Sequence, residues 1–149
     1  CGCCKDQVHS GLSPAERRRA WRCVLLSWSM FFAVAQVALL LYPCARWGFA
    51  PASDNYMLGP PQYVFNSLGS KNTGLILTGS WWRLAWPMML HAGILHLGSN
   101  LIVQLRTGMV LEALWGKTKW LVIYLGSGIY GFMASCIVHP NTLGIGSSG

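Results

Sequence analysis

Residues 81–106 read WWRLAWPMMLHAGILHLGSNLIVQLR, and the part from Leu84 to Leu105 holds no Asp, Glu, Lys or Arg. A helix rising about 1.5 Å per residue crosses a hydrocarbon layer of about 30 Å in roughly 20 residues, so this run is long enough to span a membrane. It is not featureless, because His91, His96, Asn100 and Gln104 would lie at membrane depth. Unpaired imidazole and carboxamide groups in hydrocarbon cost several kcal/mol, so these side chains must face protein or a hydrated cavity. His96, Asn100 and Gln104 recur every four residues, with Gly93 three before His96, and make one small and polar stripe. His91 lies five residues before His96, about 140° around a helix, and is expected on another face with a different part to play. The stripe has three readings: interhelical hydrogen-bonding glue, a proton or metal relay, or donors around a reaction centre. No Asp, Glu or third His shares the face, which disfavours a metal, and no cofactor is expected.

The wider chain has the same character. Of 149 residues, 53% are hydrophobic and only 10% charged, too little charge to coat a soluble domain of this size. Two further stretches, Cys23–Ala45 and Trp120–Gly149, also lack charge. The formal net charge of +7 invites a nucleic-acid reading, but eight of the 11 basic residues lie before the first apolar stretch or between the second and third. That alternation is the positive-inside pattern, and no basic face interleaved with aromatics lies outside the spans, so no nucleic-acid partner is expected. It predicts a basic cytoplasmic tail at 1–22, a first span at about 23–42 stopped by Pro43, and an outer segment at about 45–83. A second span at about 84–106, a short cytoplasmic turn from Arg106 to Lys119 and a third span at about 119–138 follow, with a fourth starting at about 148. In the tail, Ser13-Pro14 caps a short juxtamembrane helix.

The third span carries Ser127, Gly131 and Ser135 at four-residue spacing, which predicts close packing inside a bundle. Cys1, Cys3 and Cys4 cluster without paired ligand spacing, so neither a disulfide framework nor a zinc site is expected, while palmitoylation of the cluster is an open candidate. Trp81 and Trp82 alone would read as an interfacial aromatic belt, and Glu112 as an interfacial carboxylate. The chain starts at Cys1 and stops just after Gly144-Ile145-Gly146-Ser147-Ser148-Gly149, and it is expected to be a piece of a longer protein. Serine between glycines at a turn opening a helix can expose a nucleophilic hydroxyl beside backbone N–H donors, and it can also be a plain flexible turn.

Taken in order, Trp82-Arg83, His91, His96, Asn100, Gly108, Glu112 and Gly146-Ser147-Ser148-Gly149 resemble the rhomboid family of intramembrane serine proteases. The family pattern is Trp-Arg in the first loop, His-x4-His-x3-Asn on the second helix and Gly-x-Ser-Gly at the start of the fourth. The segment from Asn100 to Glu112 looks like the secretory-pathway branch, so a secretory or plasma membrane is expected rather than the mitochondrial inner membrane. The resemblance implies an all-α, polytopic transmembrane bundle of six or seven spans, of which three and the start of a fourth are present as an N-terminal portion.

Carried over residue by residue, the resemblance makes Ser148 the nucleophile, with His96, Asn100 and the Ser148 backbone N–H as the oxyanion hole. His91, Trp82, Arg83, Glu112, Gly146 and Gly149 would shape the site from behind it. The family's base histidine sits on the sixth helix, beyond this chain, so these 149 residues are expected to be inactive alone while the parent protein cleaves peptide bonds. The expected partners are the lipid bilayer and membrane-protein substrates with a helix-destabilised transmembrane segment. Two alternatives stand beside the protease: a rhomboid-like pseudoprotease that binds or traffics membrane clients, and a transporter or channel fragment whose polar stripe lines a path.

Overall fold

The computed structural model describes residues 24–147, together with 14, 15 and 18. The cysteines Cys1, Cys3 and Cys4, the Ser13 cap of the juxtamembrane helix and the pair Ser148–Gly149 lie outside the described residues. Three long helices dominate: α1 (Trp28–Trp47), α4 (Ile94–Trp115) and α5 (Lys117–Val138). Between α1 and α4 runs a long loop holding two short helices, α2 (Val64–Leu68) and α3 (Thr73–Leu77), and two 3-10 turns at Trp81–Leu84 and Trp86–Met89. Among the described residues no strand ladder forms, and the one isolated β-bridge pairs Lys71 with Gly144. The architecture is that of an all-α bundle. By length and composition α1 and α5 can each cross a membrane.

α1 packs chiefly on α4, and α4 on α5. The buried face of α1 is Ser29, Phe32, Ala33, Gln36, Leu40 and Pro43, one stripe at helical spacing. It meets the α4 stripe of Leu97, Gln104, Gly108 and Glu112. At Gly108 the helices come so close that an added Cβ would lie 2.7 Å from the Ser29 Oγ. Phe32, Trp120 and Tyr124 then join α1 to α5, with the Trp120 and Tyr124 rings stacked at 4.9 Å and Phe32 also 4.9 Å from Tyr124.

The start of α1 shows why these two helices hold together. The first N–H groups of a helix have no partner within it and carry its positive end. Ser27 accepts one, from Met30 at 3.0 Å, and α1 has no acidic residue of its own in the first turn. Glu112 of α4 supplies the charge: its carboxylate accepts the N–H groups of Trp28 at 3.1 Å and Ser29 at 3.3 Å, and the Ser29 hydroxyl at 3.3 Å.

Three boundaries differ from the hydropathy reading. α1 does not stop at Pro43 but continues to Trp47. A proline removes one ladder hydrogen bond, yet Pro43 belongs to the buried stripe, and packing carries the helix past it. The second helix begins at Ile94, ten residues later than expected, because its first free donors are taken by the loop: Ile94 N–H by Leu58 C=O at 3.0 Å and Leu95 N–H by Met57 C=O at 3.2 Å. Pro87 holds the preceding residues in a 3-10 turn, so the apolar run 84–93 is loop, buried at Pro87, Met88, Leu90 and His91. At the other end, residues 106–119 are not a turn. α4 runs on to Trp115 and α5 starts at Lys117, with Gly116 alone between them at φ 86°, a conformation that favours glycine.

The third helix uses a different register from the small-residue series. Its buried residues are Trp120, Gly128 and Phe132, while Ser127 is exposed and Gly131 and Ser135 are half-buried. Gly128 is where the 3-10 turn approaches, since a Cβ there would meet the Met88 side chain at 2.3 Å.

Candidate active site

The polar stripe of α4 divides into two parts. Gln104 is buried and engaged at both ends of its amide: its Nε2 donates to Ser29 C=O at 3.2 Å, and its Oε1 accepts from Gln36 Nε2 at 3.2 Å and from the Tyr124 hydroxyl at 3.1 Å. Gln36 also donates to Met88 C=O at 3.3 Å. This network of three helices and one loop turn is the glue reading, realised on one residue. His96 and Asn100, half-buried, instead line a cavity of about 470 Å³ together with Gln104, Tyr124, Ser127 and Ser147.

At the cavity His96 and Asn100 have defined neighbours. The backbone N–H of Ala92 donates to His96 Nδ1 at 3.3 Å. A ring nitrogen that accepts a proton donor leaves the other, Nε2, to carry the hydrogen. Asn100 Nδ2 donates to His96 C=O one turn back at 2.8 Å, which uses one of two amide hydrogens. Its Oδ1 accepts the Ser147 hydroxyl at 3.3 Å.

His91 departs from the helical expectation. It precedes α4, so the 140° separation from His96 does not apply, and the two rings meet edge to face with centroids 5.2 Å apart. His91 is 3% exposed, and neither ring nitrogen has a hydrogen-bond partner of good geometry. Among the described residues no three His, Cys, Asp or Glu gather as a metal site.

The serine turn is brought to α4 by backbone contacts. Gly146 adopts φ 114°, which strains any residue with a side chain, and its N–H donates to Pro87 C=O at 2.9 Å. Just before it, Gly144 and Lys71 exchange both hydrogen bonds, at 2.8 and 3.2 Å. Of the serines, Ser147 is the one seen against Asn100; Ser148 and Gly149 lie outside the described residues.

Trp82 and Arg83 knit the long loop between α1 and α4. The Arg83 guanidinium is buried over the Trp82 ring, 4.7 Å from its centroid, and donates to the carbonyls of Ser70 at 2.7 Å and Asn66 at 3.1 Å. Trp82 in turn packs on Gly69, where a Cβ would sit 2.4 Å from the indole. Glu112 is remote from the cavity's serine, at the α1 cap described above.

A model of the rhomboid domain matches residues 78–149. The chain belongs to the rhomboid family. It is 40% identical over 74 residues to the rhomboid protease GluP of Bacillus subtilis (strain 168), covering 50% of this chain and 15% of that protein. It is 36% identical over 103 residues to rhomboid-like protease 5 of Toxoplasma gondii, covering 68% and 12%. With rhomboid-like protease 3 of the same organism it shares 30% over 149 aligned residues, covering 95% of this chain and 54% of the relative. The chain therefore spans only part of the length of these three relatives. No solved structure matches it significantly. Family and apolar helices together make it a membrane protein.

Two residues of this rhomboid escaped the motif reading. Lys71 is 0% exposed, and its ammonium donates to His139 C=O at 2.7 Å and to the carbonyl and hydroxyl of Ser135, both at 3.3 Å. It thus closes the negative end of α5 beside the serine turn. Burial pushes the ammonium below the ordinary lysine range, opposed by the nearby Cys136. The available signal was charge: Lys71 is a cation in the segment 45–83, where the positive-inside reading expects few. The other is Asn55, a buried amide between loop and helix start, which no motif marked.

Proposed function

We propose that the full-length protein is an intramembrane serine endopeptidase that cleaves transmembrane segments of membrane proteins through an acyl-enzyme on Ser148. The observation that carries this reading is the serine turn seated against Asn100 at the mouth of the His96–Asn100 cavity. In the rhomboid pattern Ser147 fills the variable place of Gly-x-Ser-Gly and Ser148 the serine place.

The steps follow from donor chemistry. Ser148 Oγ attacks the scissile carbonyl carbon and gives up its proton to the base that the family carries on its sixth helix, beyond this chain. The tetrahedral oxyanion is held by His96 Nε2–H, by Asn100 Nδ2–H and by the Ser148 backbone N–H. Collapse of the intermediate expels the amine, which takes the proton back. Water, activated by the same base, then attacks the acyl carbon and frees Ser148.

A helical substrate hides its backbone in hydrogen bonds, so segments with helix-breaking or small residues are the preferred substrates. The charge pattern supports an N-terminus in the cytoplasm and the loop 45–83 outside, and the resemblance of Asn100–Glu112 supports a membrane of the secretory pathway or the plasma membrane. A fluorophosphonate probe on the full-length protein tests the assignment. Labelling is expected to vanish in Ser148→Ala and persist in Ser147→Ala. Labelling retained in Ser148→Ala shifts the nucleophile elsewhere, and none in the wild type returns the pseudoprotease.

A further inference from the structure

His96 owes its orientation to residues far from it in sequence. Asn55 lies in the outer loop and is 2% exposed. Its Nδ2 donates to Pro60 C=O and to Ala92 C=O, each at 2.7 Å, and its Oδ1 accepts the Met57 N–H at 3.0 Å. Three of its four hydrogen-bonding positions are therefore used, all on main chain. The turn so formed is the one that presents the carbonyls of Met57 and Leu58 to the first donors of α4.

The two segments touch at backbone distance. A Cβ on Gly59 would lie 2.0 Å from Ala92 O, and one on Gly93 would lie 2.2 Å from Met57 O. Leu58 is held at φ 56°, a left-handed conformation that a leucine adopts only under constraint. Ala92 is gripped from both sides: its carbonyl by Asn55, and its N–H on His96 Nδ1. Because Nδ1 is engaged, the imidazole proton belongs on Nε2, the nitrogen left to donate to a ligand in the cavity that His96 lines. His91 packs edge-on against the same ring and offers no competing hydrogen bond.

We propose that Asn55 is a positioning residue for His96: by fixing the Ala92 backbone it holds the imidazole in the Nε2–H tautomer that serves as an oxyanion donor. This rests on the reading of His96 as a donor, and the test separates the two. In the full-length protein in micelles, with 15N-labelled histidine, the His96 shifts of the wild type should report a bare Nδ1 and a protonated Nε2. A proton on Nδ1 there overturns the proposal without any variant. Asn55→Ala should populate both tautomers and slow fluorophosphonate acylation of Ser148 by on the order of 10-fold or more, less than the 10²–10³-fold loss expected on deleting a donor outright. The control, Gln62→Ala, removes an exposed bond to Asp54 C=O in the same loop and should change neither readout. An unchanged His96 tautomer in Asn55→Ala overturns the positioning role. A changed tautomer with an unchanged acylation rate keeps that role and overturns the donor reading of His96.

Discussion

Removing the Glu112 carboxylate should cost the bundle more than any other change to a charged residue outside the cavity. Three donors converge on it from α1, two of them backbone N–H groups at the positive end of the helix. Interhelical hydrogen bonds within membranes average about 0.6 kcal/mol, so three of them set a floor near 2 kcal/mol for Glu112→Ala. The floor is too low on two counts. The acceptor is a buried carboxylate at a helix N-terminus, a placement worth up to about 2 kcal/mol by itself. The donors left behind in a buried site would each lack a partner, at about 1–3 kcal/mol apiece before water or rearrangement relieves them. A loss of about 3–4 kcal/mol is expected. Glu112→Gln keeps one acceptor for Trp28 but turns an NH2 toward the Ser29 donors, and should lose about half as much. Reversible unfolding in mixed micelles, or steric trapping of the full-length protein, measures both. A loss under about 1 kcal/mol in Glu112→Ala, or equal losses in the two variants, would refute the claim that the carboxylate's charge caps α1.

Two other outcomes are specific. Asn100→Ala in the full-length protein should lower kcat by about 10²-fold or more with KM little changed, since the donor acts on the transition state; an unchanged kcat in a peptide-cleavage assay would make Asn100 purely structural. Lys71→Met should destabilise the serine turn, seen as faster hydrogen exchange at the Gly144 N–H that bonds Lys71. The same variant carries a pH signature: with the lysine pKa lowered on folding, the unfolded state binds more protons just below pH 10.5. Wild-type stability should therefore gain on Lys71→Met as pH rises through that window, whereas a pH-independent difference would contradict the lowered pKa.

What could be read from sequence depended on whether the helix had begun. From Ile94 onward the four-residue recurrence of His96, Asn100 and Gln104 describes one face, and the structure keeps them on one cavity wall. Before Ile94 the same arithmetic misplaced His91, because an apolar run reports the solvent a segment prefers and not which carbonyl takes its N–H groups. Pro43 misled for a related reason: the residue that breaks an isolated helix is held here by packing against neighbours. Gln104 could not be told apart from Asn100 by spacing, since what separates them is contributed by Gln36 and Tyr124 on other helices. Lys71 and Asn55 act on main-chain atoms distant in sequence, and such contacts leave no local pattern. The Trp82-Arg83 pair was legible as a motif, but its work, donation to the loop carbonyls of Asn66 and Ser70, was not.

The bridge between Lys71 and Gly144 also dictates an order of assembly. Both α4 and α5 lie between its two strands of chain, so neither partner can find the other until the second and third long helices have been made and paired. Contacts that close such long loops are reached late, after local structure has repaid the entropy of bringing the ends together. A nascent chain that has finished α4 but not α5 has His96 and Asn100 in place and no anchored serine turn.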